Sequence, residues 1–313
     1  MIVAITGGTG FIGRKLALRC LAQGDEVRIL SRYEPDEQWK LYSANWYRAD
    51  LGDVSGLSSF VDGVDVLFHC AGQLTDETMM YQLHVSGTQN LVDAASGRIK
   101  HWVQLSSVGV YGPISEGVVT EDSPLNPMGE YEVTKAESDR IVLDAAKRGA
   151  FSCSVLRPSN VFGADMKNQS LFRMIDMIER GLFFFIGKRG ASANYIHVDN
   201  VVEGLLLCAV KEEARGKAFN LSDYSTIERF VQIISDALEC NSPQLRMPER
   251  FARLISKSLS VITNFPLTQS RIDALSNRSL YSIDRIQKCL GYSHVISMGN
   301  ALQQLVAAYK SRE

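Results

Sequence analysis

The 313-residue chain lacks the charge imbalance that would draw it to a charged polymer: 33 Lys and Arg stand against 35 Asp and Glu, a formal net charge of −2. No run of basic residues forms a tail, so neither nucleic acid nor an anionic membrane surface is an expected partner. Cysteine is sparse and scattered. The six thiols, Cys20, Cys70, Cys153, Cys208, Cys240 and Cys289, offer no CxxC pair and no zinc-ligand spacing, and read as reduced thiols with no metal site. Long hydrophobic runs are missing too: Leu182 to Ile186 and Leu205 to Val210 are far short of the roughly 20 residues of a membrane-spanning helix. No charged leader or cleavage signal precedes the first apolar segment, IVAIT, and a cytoplasmic location is the expectation. No 20–50-residue repeat and no low-complexity linker is present, which excludes solenoid architectures.

What is there is an ordinary globular composition, 45% apolar and 22% charged, in a chain long enough for one large domain with an appended lobe. From the start to about residue 160, short β-type runs (IVAI, VRIL, VDVLFHC, HWVQLSS, FSCSVLR) alternate with helical patterns at 12–23, 80–96 and 131–148. The runs lack polar alternation, as strands covered on both faces do. The rhythm predicts an α/β fold, a doubly wound parallel Rossmann sheet with a smaller C-terminal substrate lobe. The expected division is a dinucleotide-binding domain over 1–165, rejoined by 190–222, with the lobe built from 166–189 and 223–313. Segment 249–262 has helical spacing and reads as a helix packed on the lobe, with a lid or an apolar substrate wall as the other reading.

Directly after the first run stands Thr6-Gly7-Gly8-Thr9-Gly10-Phe11-Ile12-Gly13, where a helix begins. A turn with positive φ, a backbone able to approach a pyrophosphate, and close helix–strand contact at Gly13 all call for glycine. The helix N-terminus adds free N–H donors for phosphate. With a strand before it and a helix after it, the loop predicts a dinucleotide site including Gly7, Gly10, Phe11, Ile12 and Gly13. The second strand ends in Ser31-Arg32 with no carboxylate, which points to NADP(H) over NAD(H), with NAD(H) possible: Arg32 is placed to meet a 2′-phosphate and Ser31 to donate to it. Asp50 and Leu51 fall near the adenine edge, and Ala71 and Gly72 near the inner ribose.

Tyr131 and Lys135 stand four apart in a helical stretch and share a face. They follow Leu105-Ser106-Ser107-Val108-Gly109-Val110-Tyr111-Gly112, a strand ending in hydroxyls at the sheet's carboxyl edge, where doubly wound folds place ligands. A phenol of pKa about 10 is a poor base at neutral pH, so a neighbouring ammonium and a positive nicotinamide must favour its phenolate. The expected catalytic set is Ser107, holding the substrate oxygen, Tyr131, exchanging the proton, and Lys135, with Ser106 as the second serine candidate.

These motifs, with Leu156-Arg157-Pro158-Ser159-Asn160-Val161-Phe162-Gly163 and His197-Val198-Asp199-Asn200, resemble the extended short-chain dehydrogenase/reductases, the NAD-dependent epimerase/dehydratase family, over nearly the whole chain. The resemblance implies a nicotinamide seat at Pro158 and Ser159, substrate contacts at Ser107, Val108 and Asn160, and a homodimer. Three departures stand out. His84 occupies the place of the asparagine of an NVxGT run, as either a satisfied helix residue or a catalytic one. Ala193 stands where hexose epimerases and dehydratases carry a pyrophosphate-binding arginine, with Arg189 as a possible substitute. The carboxyl-terminal part has no arginine-glycine-aspartate run. It is similar to nucleotide-sugar 4-ketoreductases and, through Gly216-Lys217-Ala218-Phe219-Asn220, to 3β-hydroxysteroid dehydrogenases. The small-molecule substrate is accordingly a nucleotide sugar, reduced or epimerised, or a sterol; a non-catalytic dinucleotide sensor is the remaining reading. A sugar site needs converging arginines, for which Arg246, Arg271 and Arg278 are the candidates.

Overall fold

The computed structural model describes residues 1–37, 39–258 and 268–312. Seven parallel strands form the central sheet: β1 (Ile2–Thr6), β2 (Glu26–Ser31), β3 (Asn45–Arg48), β4 (Val66–His69), β5 (His101–Leu105), β6 (Ser152–Pro158) and β7 (Lys217–Leu221). Their order is β7-β6-β5-β4-β1-β2-β3. The chain winds outward from β1 through β2 to β3, then returns to add β4 on the other side. The crevice between β1 and β4 is thus the switch point at which such sheets bind ligands.

Alternation along β1 divides the core into two layers. Val3 and Ile5 face helix α1 (Phe11–Ala22) and the helix Val198–Val210, through Leu16, Cys20, Val201 and Leu205. Ala4 faces the opposite way, towards α2 (Val54–Val61), α3 (Gly87–Ala95) and α4 (Glu130–Lys147), through Leu57, Phe60, Leu91, Val142 and Trp102. Both faces are covered, which is why the strand sequences read as continuous apolar runs.

A third core lies beyond the sheet's carboxyl edge. It gathers Phe172 and Ile175 from the helix Ser170–Glu179, Phe230 and Ile234 from Ile227–Leu238, and Leu302 and Leu305 from Met298–Lys310. A small sheet joins these helices to the main one: Ser192–His197 runs parallel to Asn160–Phe162 and antiparallel to Asp223–Thr226. The expected helix at 249–262 runs from Glu249 to Ser258, with Ala252 buried and Phe251 and Leu254 exposed; positions 259–262 lie outside the described residues. Among the described residues no helix is long and apolar enough to cross a membrane, and no cluster of side chains could hold a metal ion.

Candidate active site

The glycine loop sits in the β1–β4 crevice. Gly7 has φ +68°, and a Cβ there would lie 2.7 Å from the Ala71 nitrogen and the Cys70 carbonyl. A Cβ on Gly13 would stand 2.2 Å from the Gly7 carbonyl oxygen. Glycine is therefore required at both ends, once by conformation and once by the approach of α1 to the loop. Gly10 is the N-cap of α1 and has no side chain to cap it, so the first N–H groups of Phe11, Ile12 and Gly13 face the loop without a side-chain acceptor. The fit for a dinucleotide pyrophosphate is good: free donors, a positive helix end and a backbone cleared of Cβ atoms.

Thr6, at the end of β1, anchors this floor. Its hydroxyl accepts from the Ala71 N–H (3.3 Å) and bonds His69 Nδ1 at 2.7 Å. His69 Nε2 reaches Thr88 on α3 at 3.0 Å, and Thr88 meets Ser138 on α4 at 2.9 Å. Burial holds the His69 imidazole well below its ordinary pKa and therefore neutral. This buried relay, which the sequence reading did not contain, ties the crevice to the helix carrying Tyr131.

The end of β2 holds the two residues expected to meet a 2′-phosphate. Ser31 is buried, and its hydroxyl donates to the Tyr33 carbonyl (2.9 Å) while accepting from the Tyr33 N–H (3.1 Å), closing its own turn. Arg32 is 62% exposed and lies 3.8 Å from the Asp50 carboxylate. Asp50 also accepts from the Gly52 N–H, and the Leu51 carbonyl is taken by Asn90 of α3. Ala71 is half-buried and Gly72 exposed beside the glycine loop, with His84 3.6 Å from where a Gly72 Cβ would lie.

Ser107 and Tyr131 come together. The half-buried Ser107 caps the short 3₁₀ turn Val108–Tyr111 by accepting from the Gly109 N–H (3.0 Å), and its hydroxyl lies near enough to the Tyr131 phenol to favour the phenolate. Burial pushes the Tyr131 phenol up to about 12, with the carboxylates of Glu132 and Asp139 adding to the shift and Ser107 opposing it. Lys135 is buried on the same helix, but its ammonium donates to the Leu105 carbonyl at 2.5 Å. Burial lowers its pKa, against the pull of Asp139. The protein alone therefore leaves the phenol protonated, and a positive nicotinamide is the charge that would lower it.

Ser106 faces away from Tyr131 and donates to Asp139 Oδ2 (2.7 Å). Arg157 Nη2 reaches the same oxygen at 3.3 Å, and Arg157 Nη1 donates to the Tyr111 hydroxyl, which donates to Asn220 Oδ1 (2.8 Å). Asp139, Arg157, Tyr111 and Asn220 form a buried polar layer beneath the site, and Asp139 Oδ1 remains without a partner. The signal in the sequence was the spacing of Asp139, one turn beyond Lys135. Pro158 ends β6, and Ser159 follows with a buried hydroxyl that lacks a partner; Asn160 is exposed and Val108 is buried.

His84 lies in a π-helical turn, Tyr81–Ser86, directly before α3. Its Nε2 accepts the Gln73 N–H (2.8 Å), so Nδ1 carries the proton, 2.8 Å from Thr134 Oγ1. Burial drops the imidazole to about 4, which keeps it neutral. Its ring meets that of Tyr131 edge-on at 5.7 Å. Both nitrogens are satisfied, as expected of a helix residue, and the ring sets the position of the tyrosine.

On the lobe side Ala193 is buried in the small sheet, opposite Ser225. Arg246 pairs with Glu228 (2.6 Å) and donates to the Gly187 carbonyl, while Arg278 donates to the Arg189 carbonyl (3.3 Å). Two of the three candidate arginines thus meet on one loop, 187–189.

Comparison with known proteins agrees with this geometry. The family model for the NAD dependent epimerase/dehydratase family matches residues 3–222. The mouse (Mus musculus) sterol-4-alpha-carboxylate 3-dehydrogenase, decarboxylating, is 26% identical over 332 residues, covering 97% of this chain and 90% of its own. A ketoreductase of Stigmatella aurantiaca, acting on 4-hydroxy-2-methyl-3-oxo-4-farnesyl-3,4-dihydroquinoline-1-oxide, is 27% identical over 318 residues, 96% of this chain and 94% of that one. Among solved structures, UDP-glucuronic acid 4-epimerase from Bacillus cereus in complex with NAD superposes with a TM-score of 0.79 at 18% identity over 100% of this chain and 99% of that one, a likeness of fold.

Proposed function

The chain belongs to the NAD-dependent epimerase/dehydratase family, and on that premise we propose an NAD(P)-dependent oxidoreductase that moves a hydride at a ring secondary alcohol or ketone. The observation that carries it is the Ser107 hydroxyl set beside the Tyr131 phenol at the carboxyl edge of β5, beside the glycine loop. In this reading Ser107 holds the substrate oxygen, Tyr131 exchanges its proton, and Lys135 faces the cofactor ribose once released from the Leu105 carbonyl. Gly7 to Gly13 hold the pyrophosphate, with Asp50, Leu51, Ala71 and Gly72 along the adenosine half and Pro158 and Ser159 at the nicotinamide. The buried, partnerless Ser159 hydroxyl supports that last placement, since a carboxamide would supply its missing bond.

NADP(H) is the preferred cofactor in this proposal, through the exposed Arg32 guanidinium; Asp50, 3.8 Å away, is the competing negative charge. Arg32→Ala should weaken NADPH binding roughly ten-fold or more while leaving NADH nearly unchanged, and equal losses for the two would remove the preference. A nucleotide-activated sugar is the first substrate reading, as ketoreductase or epimerase, supported by Arg246 and Arg278 meeting on the 187–189 loop, with Asn160 and the Val108 turn beside the sugar ring. A sterol-like apolar carbinol is the second, favoured by the buried Ala193 and by the relatives that act on sterol and farnesyl-quinoline rings. A cytoplasmic homodimer completes the proposal.

Thermal stabilisation tests it, because a ligand of the folded state raises the unfolding midpoint. NADPH alone should stabilise the protein. With NADPH present, a further rise with UDP-, GDP- or dTDP-sugars supports the first substrate reading, and a rise with sterols alone supports the second. No response to either dinucleotide would overturn the proposal.

A further inference from the structure

A carboxylate that the hydride-transfer scheme does not use stands beside the Ser107–Tyr131 pair. Glu132 is half-buried in the first turn of α4, and its side chain lies over two glycines. A Cβ on Gly109 would stand 2.8 Å from Glu132 Cγ and 3.6 Å from Oε1, and one on Gly129 would collide with Oε2 at 2.2 Å. Those glycines leave room for the carboxylate and for nothing larger. The Ser107 hydroxyl is 3.3 Å from the same Gly109 position, so serine and carboxylate approach one point above that glycine.

The carboxylate is not a cap of its own helix, because it accepts no hydrogen bond and meets no cation among the described residues. The half-buried carboxylate keeps an open side from which a donor can reach it. Its field is adverse to the chemistry: next to burial, Glu132 is the largest influence raising the Tyr131 phenol. A donor bound to Glu132 would moderate that field.

We propose that Glu132 binds the substrate: its carboxylate accepts a hydrogen bond from a hydroxyl or amino group on a ring atom next to the reacting carbon, and disfavours substrates that carry a carboxylate there. The proposal rests on the hydride-transfer reading of Ser107 and Tyr131. It makes substrate binding and proton transfer interdependent, since the donor that satisfies Glu132 also moderates the charge facing the phenol. The other groups around that phenol are Asp139 and Lys135 from α4, the neutral His84 ring from the π turn, and the Ser107 hydroxyl.

The test uses the full chain with NADP⁺, comparing wild type and Glu132→Gln, each against its Tyr131→Phe counterpart. Retained stabilisation by NADP⁺ establishes that each variant is folded. Tyrosinate absorbance then follows the phenol, and E132Q should titrate at least ~0.5 pH unit below wild type. Oxidation of trans-1,2-cyclohexanediol and trans-2-hydroxycyclohexanecarboxylate gives the second readout. Wild type should favour the diol in kcat/KM, and E132Q should narrow that ratio roughly ten-fold, the contribution of one hydrogen bond to a charged group. An unchanged titration, or an unchanged ratio, overturns the role of Glu132. Failure to oxidise either alcohol speaks against the hydride-transfer reading, while the titration still judges Glu132.

Discussion

Tyr131 and Asp139 lie on one helix and fail differently when changed. Tyr131→Phe removes only the hydroxyl beside Ser107, so turnover should fall by roughly 10²- to 10⁴-fold, the usual contribution of a positioned acid–base group, with dinucleotide stabilisation intact. Retained turnover would sink the assignment. Asp139→Ala acts on the fold instead, because it leaves the Arg157 guanidinium buried without its carboxylate and Ser106 without its acceptor. A loss of roughly 3–5 kcal/mol in urea unfolding is expected, the cost of stranding one partner of a buried ion pair. Tyr131 and Lys135 were legible because their spacing on a helix is local information. Asp139 shows the same spacing from Lys135, yet its partner Arg157 arrives from β6, and only the assembled sheet brings them together. Glu132 was illegible for a similar reason: its seat is made by Gly109, on a turn 23 positions upstream. Ser31 shows the converse, a residue at the expected end of β2 whose hydroxyl is taken by its own turn.

At the level of elements, the joint between β1 and α1 is the part most tightly defined. Gly13→Ala places a methyl 2.2 Å from a backbone oxygen and 2.8 Å from a backbone carbon of Gly7, atoms that cannot swing aside as a side chain can. The helix must back away from the strand, and roughly 1–3 kcal/mol of stability should be lost, together with NADPH- or NADH-dependent stabilisation. Gly10→Ala is the control: its methyl would lie 3.1 Å from the Gly7 carbonyl, and a small relaxation accommodates it. Equal effects of the two substitutions in a melting experiment would contradict this account. The alternation of strand and helix was readable along the first 160 residues because every βα unit buries apolar runs of its own. The small joining sheet was not, since Asn160–Phe162 becomes a strand only by pairing with Tyr195–His197, and a three-residue run carries no periodicity. The π turn at Tyr81–Ser86 was hidden as well; its extra residue is stabilised by His84 bridging Gln73 and Thr134, a tertiary contact.

Across the whole molecule three of the five histidines, His69, His84 and His101, couple stability to pH, and the sign follows from their burial. His69, His84 and His101 are buried and held below their ordinary value, His84 and His101 to about 4, chiefly through loss of solvent. The unfolded chain then binds protons that the native state refuses, so the native advantage is complete above the unfolded value of about 6.5 and is lost as pH falls from there towards 4. Taking up a proton in the native state costs His84 and His101 on the order of 3 kcal/mol each at acid pH by this linkage, several times the value of a surface ion pair. The folded state is rigid around all three: His101 bonds Ser152 and Ser154 across the β5–β6 boundary, His69 joins β1 to α3, and His84 joins the π turn to α4. Protonation of any one therefore opposes the packing of a helix or strand against the sheet. The unfolding midpoint should drop steeply between pH 6.5 and 4, and His101→Gln, which cannot take up that proton, should flatten part of the drop while costing stability at pH 7. A wild-type midpoint that stays level through this range would show that the imidazoles do not govern acid stability, and would leave the buried Asp139, whose carboxyl burial pushes up, as the group to examine.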